Sequence, residues 1–366
     1  MQDYAFGTDL SDFDTPILCI DAEILESNIH KMSEFLKEHG VAWRPHAKCH
    51  KTPQIAQLQL AAGAIGITCA KVSEAQVMAE AGIEDILIAN MIVGRPKWER
   101  LAEVCRIAKP IVACDHFAQV EPLSQVCVVK GVTCRVVVEV NIGLDRVGTQ
   151  PGRDAVQLAE AVTKLPGLDF AGIMGYEGHL LQLLDLDEKQ AKISKAMGIL
   201  VDCRDRILEA GIDCPIVSAG GTGSYQQTAH CKGITEIQAG GGIFADPFYR
   251  HRCGVRGLKY SLSVLTTVVS RPEKNRAIVD AGRKSHSPDL HRPVVKDIPG
   301  AKVDRVSAEH CQVDLVADAQ DLKIGDKLEL VPGYADFTNV LHDRFYVFRN
   351  RKLEAIWPIA ARGKIL

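Results

Sequence analysis

Short apolar runs alternate with amphipathic helical stretches through the first two-thirds of this chain, and that alternation restricts its fold more than any other feature. Strand candidates lie at 17–20, 41–44, 65–69, 86–89, 111–114, 134–140, 169–174, 216–218 and 235–238. Between the first two, Ile24, Leu25, Ile29, Met32 and Leu36 recur near the helical period, predicting a helix over 23–39. Further helices are expected over 53–62, 73–81, 97–108, 153–165 and 188–210, with Ser73 and Gln76 forming a capping box for the second of these. So many β-α units in so short a length predict a closed (β/α)8 barrel, a TIM-like fold of the α/β class. A doubly wound open sheet is the competing arrangement. Past residue 250 the helical period nearly vanishes. Short β-rich runs at 260–270, 277–279, 327–330, 345–348 and 353–357 are separated by turn residues such as Arg271-Pro272, Gly325-Asp326 and Pro332-Gly333. They predict a C-terminal all-β domain. The expected boundaries are 16–250 for the barrel and 255–366 for the β domain, with residues 1–15 packing with the latter.

Composition narrows the class of partner. A length of 366 residues exceeds one small core, and 46% hydrophobic with 24% charged residues is ordinary for a soluble globular protein. A formal charge of −3 gives no electrostatic reason to expect nucleic acid or an acidic membrane as a partner. No apolar run has the length of a membrane span. The opening MQDYAFGTDLSDFDTP is polar and acidic, without the apolar region of a signal peptide. Twelve cysteines are scattered without a CxxC pair, mostly in strand-like contexts. They read as small buried hydrophobes in a reducing compartment, so a cytoplasmic location is expected.

Chemistry concentrates in Arg44-Pro45-His46-Ala47-Lys48-Cys49-His50-Lys51, which follows a short strand candidate and precedes a helix opened by Thr52-Pro53. A lysine at a strand's C-terminal end points into the mouth of an α/β fold. There, neighbouring cations favour its neutral form, which attacks an aldehyde to form an imine. A basic surface loop, binding phosphate or nothing, is the other reading. The loop Gly220-Gly221-Thr222-Gly223-Ser224 follows strand candidate 216–218 directly. Its glycine N–H groups and the hydroxyls of Thr222 and Ser224 suit a phosphate nest; an ordinary tight turn is the alternative. Gln238-Ala239-Gly240-Gly241-Gly242 follows the next strand and is placed to complete a phosphate cup or approach a ring edge. The last strands of a barrel are a frequent phosphate site. Arg146, in a glycine-flanked loop after 134–140, suits a carboxylate or a phenolate oxygen, or else pairs with Asp145 or Glu139. Tyr176 and His179 follow 169–174 and face the same mouth. His179 is read as an acid/base, a ring-stacking partner, or a structural histidine.

The order of these motifs is similar to the alanine-racemase-like fold of pyridoxal phosphate enzymes, fold type III. The chain more closely resembles the D-threonine aldolase/D-serine dehydratase branch. The matching stretches include Asp14-Thr15-Pro16, the Lys48 run, Gly66-Ile67-Thr68-Cys69-Ala70-Lys71, residues 138–148, residues 218–224, Val279-Asp280-Ala281-Gly282-Arg283-Lys284 and Glu309-His310. The resemblance implies that Lys48 carries pyridoxal 5'-phosphate, with His46, Arg146, Tyr176, the residue 220–224 loop, Gln238 and Gly240 around it. It also implies a head-to-tail homodimer in which the β domain of one subunit closes the barrel mouth of the other. In this branch a divalent metal usually sits near the cofactor, held by a Pro-x-His-x-Cys or Pro-x-His-x-Asp run. Here the run is Pro332-Gly333-Tyr334-Ala335-Asp336. Tyrosine, with a phenol pKa of about 10, is a poor divalent ligand at neutral pH. Three outcomes are open. Asp336 binds a metal with His310 or His342 as substitute ligand. Asp336 binds it with water alone, favouring Mg²⁺ or Mn²⁺ over Zn²⁺. Or no metal is held and Tyr334 acts as a hydrogen-bond or proton donor.

The resemblance implies a small D-amino acid as substrate, with Lys48, Tyr176 and His179 catalytic. The expected reaction is cleavage of a D-3-hydroxy amino acid, D-threonine or a 3-hydroxy-D-aspartate, to glycine and an aldehyde or oxo acid. Dehydration of D-serine or 3-hydroxyaspartate is the first alternative. Racemisation or non-catalytic cofactor binding is the second.

Overall fold

A computed structural model describes residues 4–366. Residues 1–3, part of the N-terminal stretch expected beside the β domain, lie outside the described residues. Two compact units emerge. One holds the chain up to Lys31 together with 241–252 and 256–362; the other holds 32–240, 253–255 and 363–366.

Strand β1 (Ile17–Asp21) and helix α1 (Ala22–Glu38) open the chain. Then follow β2 (Ala42–Trp43), α2 (Pro53–Ala61), β3 (Ile67–Cys69), α3 (Val72–Glu80), β4 (Asp85–Met91), α4 (Arg95–Ile107), β5 (Lys109–Cys114) and α5 (Phe117–Lys130). The alternation continues with β6 (Cys134–Glu139), α6 (Arg153–Thr163), β7 (Leu168–Met174), α7 (Leu186–Glu209), β8 (Ile216–Ala219), α8 (Tyr225–Thr228) and β9 (Glu236–Ile237). Strands β2 to β9 are all parallel, in the order β2-β9-β8-β7-β6-β5-β4-β3. A parallel bridge between His46 and Thr68, with Ile65 N–H donating to the Trp43 carbonyl at 2.9 Å, joins the two ends of that order. The sheet is therefore a closed eight-stranded barrel, not an open doubly wound sheet. Leu87, Ile111, Ala113, Val137, Ala171 and Met174 form one apolar cluster on its strands.

Several expectations are corrected in detail. Segment 17–20 does form a strand, but β1 pairs outside the barrel. The capping box at Ser73 is absent: α3 begins at Val72, its N-cap is Lys71, and Ser73 N–H and Oγ both donate to the Leu366 carbonyl. Glu74 reaches back instead, accepting from Ala70 N–H at 2.6 Å. Helix α5 has no counterpart among the sequence expectations. It carries Pro122 in its interior and apolar residues on most sides, so neither periodicity nor breaker rules mark it. Arg44, counted among the cations of the Lys48 run, is buried and ion-paired: its Nε lies 2.9 Å from Glu236 of β9 and its NH1 bonds Asp85 of β4.

In the other unit, β10 (Leu262–Glu273), β11 (Arg276–Val279), β12 (Val294–Val295), β13 (Ala301–Val306), β14 (Cys311–Leu315), β15 (Lys327–Val331), α9 (Ala335–Asn339), β16 (Arg344–Arg349) and β17 (Lys352–Pro358) complete the chain. Strand β1 lies between β10, antiparallel, and β16, parallel, within a nine-stranded sheet. Leu10, Phe13, Cys19, Leu265, Tyr346, Phe348 and Leu353 form its apolar core. The unit is mostly β, as expected, but it also holds the short helix α9; β12, β13 and β14 are additional strands.

Candidate active site

Parallel strands bring their C-terminal ends to one rim. From β2 the chain passes into a tight 3₁₀ turn, Ala47–Cys49, that presents Lys48. His46 caps this turn, its Nδ1 accepting from Lys48 N–H at 3.3 Å. Burial, and then the positive charges of Lys48 and Lys51, hold the His46 imidazole well below its ordinary pKa, so it is neutral at pH 7. His50 is fully buried and lowered to about 3 by desolvation, and its Nδ1 accepts from Thr52 N–H. Lys51 is engaged elsewhere. Its Nζ lies 3.1 Å from Glu74 Oε1 in a buried ion pair. Of the two lysines in the run, Lys48 alone keeps an amine without a carboxylate partner among the described residues.

The end of β9 supports this turn. His46 N–H donates to the Gln238 carbonyl at 3.0 Å, and the Gln238 side chain donates to Ser218 Oγ at 2.9 Å. A Cβ on Gly240 would stand 2.1 Å from the His46 carbonyl oxygen. Gly240 is thus needed for close backbone approach to the Lys48 turn.

The structure gathers Arg146, Tyr176 and Gly221, and sets His179 against Gly143 of the loop that carries Arg146. The Arg146 guanidinium stands 5.6 Å from the Tyr176 ring centre and 3.6 Å from Glu139 Oε1. Glu139 is the partner, rather than Asp145. Its carboxyl is pushed up to about 7, chiefly by burial, with Arg146 acting in the opposite sense. A Cβ on Gly221 would meet the Tyr176 ring at 2.9 Å, so the phenol lies flush against the glycine loop. His179 is exposed, its Nε2 3.1 Å from the Cβ position of Gly143.

Within the 220–224 loop, Gly221 N–H donates to Ser224 Oγ at 3.1 Å, and the N–H groups of Ser224 and Tyr225 donate to the Gly221 carbonyl. The Ser224 hydroxyl, expected as a phosphate donor, is engaged with the turn itself. Thr222 is buried in the same loop. Two buried charged residues beside this loop escaped the sequence reading. Glu177 accepts from Thr228 Oγ1 at 2.5 Å and from Gly220 N–H at 3.3 Å. Lys189 donates to the carbonyls of Leu181, Gly223 and Cys253 at 2.8, 2.6 and 2.7 Å. Lys189 occupies a position within the buried stripe of α7 that periodicity assigns to an apolar residue, and that misfit was the available signal.

This donor set fits pyridoxal phosphate. It offers an unpaired primary amine for the aldehyde, a glycine loop with a buried threonine for the phosphate, and a guanidinium for the phenolate or a substrate carboxylate. The metal run does not fit a divalent ion of the family type. Tyr334 is packed edge-on against Phe248, Tyr249 and Phe337, and its hydroxyl is 3.5 Å from that of Tyr249. Burial and then the Asp336 carboxylate push its phenol far above the ordinary value. His342 directs Nε2 to the Ser285 carbonyl at 2.7 Å, and His310 is exposed on a turn. Neither completes a site with Asp336: among the described residues no three His, Cys, Asp or Glu side chains gather as metal ligands do.

The sequence matches the family described as alanine racemase, N-terminal domain, over residues 20–247, and a serine dehydratase domain over 261–348. It is 38% identical over 359 residues to a D-threonine aldolase of Arthrobacter sp., covering 98% of this chain and 95% of that one. It is 34% identical over 368 residues to a 3-hydroxy-D-aspartate aldolase of Paracoccus denitrificans, covering 98% and 94%. A D-threo-3-hydroxyaspartate dehydratase of Delftia sp. is more distant, at 28% over 88% of this chain and 90% of its own. The crystal structure of D-threonine aldolase from Filomicrobium marinum superposes with a TM-score of 0.96 at 37% identity, covering 99% of both chains. A barrel that carries its lysine at the first strand end, joined to a β unit and alike in sequence and structure over nearly the full chain, leaves one assignment: the chain belongs to the alanine racemase N-terminal domain family, among the pyridoxal-phosphate-dependent lyases that include D-threonine aldolase and 3-hydroxy-D-aspartate aldolase.

Proposed function

We propose that this protein cleaves a D-3-hydroxy amino acid, of the D-threonine or 3-hydroxy-D-aspartate type, between Cα and Cβ. The products are glycine and an aldehyde or oxo acid. The observation that carries this reading is the rim of the barrel: one unpaired lysine beside a neutral histidine, the Tyr176 phenol against Gly221 of the glycine loop with the Arg146 guanidinium over its ring, and the His179 imidazole against Gly143. Pyridoxal phosphate bound there supplies a sink for the electron pair released at Cα. Lys48 contributes the amine that holds its aldehyde. The 220–224 loop, with Thr222 and Gly223 foremost and Gln238 and Gly240 behind the lysine turn, binds and orients it. Arg146 orients a carboxylate or phenolate, and the Tyr176 ring holds the guanidinium against its face. His179 takes the proton of the β-hydroxyl at an imidazole nitrogen as the Cα–Cβ bond breaks, and a proton returns to Cα to give glycine.

Cleavage is favoured over dehydration on two grounds. The aldolase relatives are closer than the dehydratase. Tyr334 also stands where the branch places a metal-binding histidine, which weakens metal assistance to a departing hydroxide. Any divalent requirement is therefore weak and biased to oxygen-preferring ions. We further infer a cytoplasmic homodimer.

The test is an assay of D-threonine, D-serine and the 3-hydroxyaspartate isomers, with and without EDTA, detecting glycine and ammonia separately. Glycine from the D-3-hydroxy substrates, retained in EDTA, is expected. Ammonia without glycine would replace the aldolase with a dehydratase, and a D/L mixture formed from alanine would make it a racemase.

A further inference from the structure

Lys189 has no role in the chemistry above, and its placement is unusual. It sits in the buried stripe of α7 with a completely buried side chain. An ammonium removed from water costs several kcal/mol unless its protons are satisfied. No carboxylate lies within ion-pair distance among the described residues. The three protons are instead spent on three carbonyls, one from each of three segments: Leu181 after β7, Gly223 in the glycine loop, and Cys253. These segments also touch at that point. A Cβ on Gly223 would stand 3.1 Å from Leu181 Cδ2 and 3.2 Å from Cys253 Sγ. Glu177, from the same stretch of chain as Leu181, fastens the loop's other end through Gly220 N–H and reaches Thr228 Oγ1 in the helix behind it. The loop is thus bracketed by one buried cation on a carbonyl and one buried anion on an amide. Gly223 N–H has no partner among the described residues.

We propose that Lys189 is a positioning residue for the cofactor phosphate: by holding the Gly223 carbonyl it fixes the 220–224 loop in its phosphate-binding shape before the phosphate arrives, and it places a buried positive charge behind that loop. The inference rests on the cofactor reading above. Two consequences follow from the chemistry. The loop is ordered without ligand, since the ammonium is satisfied by protein carbonyls alone. The contribution of Lys189 to binding is confined to the phosphate, since its hydrogen bond to the loop is made at Gly223, in the segment that would hold that group.

Removal of that ammonium in Lys189→Met, and its replacement by a neutral donor in Lys189→Gln, are compared with wild type for affinity toward pyridoxal phosphate and toward pyridoxal, which lacks the phosphate. The expected result is a loss of about tenfold or more for pyridoxal phosphate with pyridoxal within about twofold of wild type. A lowered melting temperature with an unchanged ratio of the two affinities would assign Lys189 a purely structural role and overturn the proposal. Hydrogen exchange of residues 220–224 in cofactor-stripped wild type tests the same idea without any variant. Slow exchange that changes little when pyridoxal phosphate is added is expected; a loop that exchanges freely until the cofactor binds contradicts preorganisation. A wild-type protein that binds pyridoxal phosphate no better than pyridoxal removes the cofactor reading itself, and this inference with it.

Discussion

Lys48 and Lys51 lie three residues apart, yet the structure gives them opposite fates. Lys51 is consumed by a buried pair with Glu74, whereas Lys48 sits half-buried on a turn capped by a neutral imidazole. Breaking a buried pair by removing one partner leaves the other charge uncompensated. Glu74→Ala should therefore lower unfolding free energy by about 3 kcal/mol, measured by urea titration. A change under about 0.5 kcal/mol would show that the pair is solvated. Tyr334 permits the converse experiment. Tyr334→His restores the branch's ligand type beside Asp336, and divalent-ion affinity by titration calorimetry should rise by at least about tenfold. Micromolar zinc binding by the wild type would contradict our reading of that run. Much at this scale is legible in sequence: Lys48, His46, Arg146, Tyr176 and the glycine loop each stand out there, and each follows the C-terminal end of a parallel barrel strand. Lys189 and Glu177 do not stand out, because a buried charge is defined by what surrounds it, and one sequence does not display that.

At the scale of elements, the candidate runs cover every barrel strand, and most of them are legible because parallel strands, buried on both faces, are apolar segments; β9, with Ile237 between Glu236 and Gln238, is the exception. The alternation could not show which runs close the ring. Segment 17–20 reads like a barrel strand, but its partners are β10 and β16, more than 200 residues away in sequence. Helix α5 hid behind Pro122, whose missing N–H is tolerated in a helix anchored by buried Val120, Leu123 and Cys127. Within β7, Gly172 has φ +144° at a register shift against β6, and a Cβ there would lie 2.1 Å from the Ile216 carbonyl oxygen of β8. Gly172→Ala forces two neighbouring strands apart. A loss of more than about 3 kcal/mol, or no soluble folded protein, is expected by thermal denaturation. A variant as stable as wild type would show that the barrel absorbs the displacement.

At the scale of the whole molecule, stability should depend on pH through Asp246. This carboxyl is buried and raised from 3.8 to about 8, chiefly by desolvation, although it accepts hydrogen bonds from Tyr249 and Ala335 N–H. The folded state keeps the proton where the unfolded chain has released it, so stability falls as pH rises from about 4 to about 8. The melting temperature should decline over that window, with a shallower slope in Asp246→Asn; equal slopes would show that other groups govern it. Sedimentation should give twice the 39.9 kDa chain mass if the homodimer holds. Whatever the assembly, everything proposed about activity depends on one covalent attachment. Purified protein loaded with pyridoxal phosphate is treated with borohydride and digested, and the modified peptide is identified by mass. A visible absorption band that disappears on reduction, with the adduct on Lys48 and none in Lys48→Ala, is the expected result. An adduct on Lys51 or another lysine, or a protein that takes up no cofactor, would contradict it.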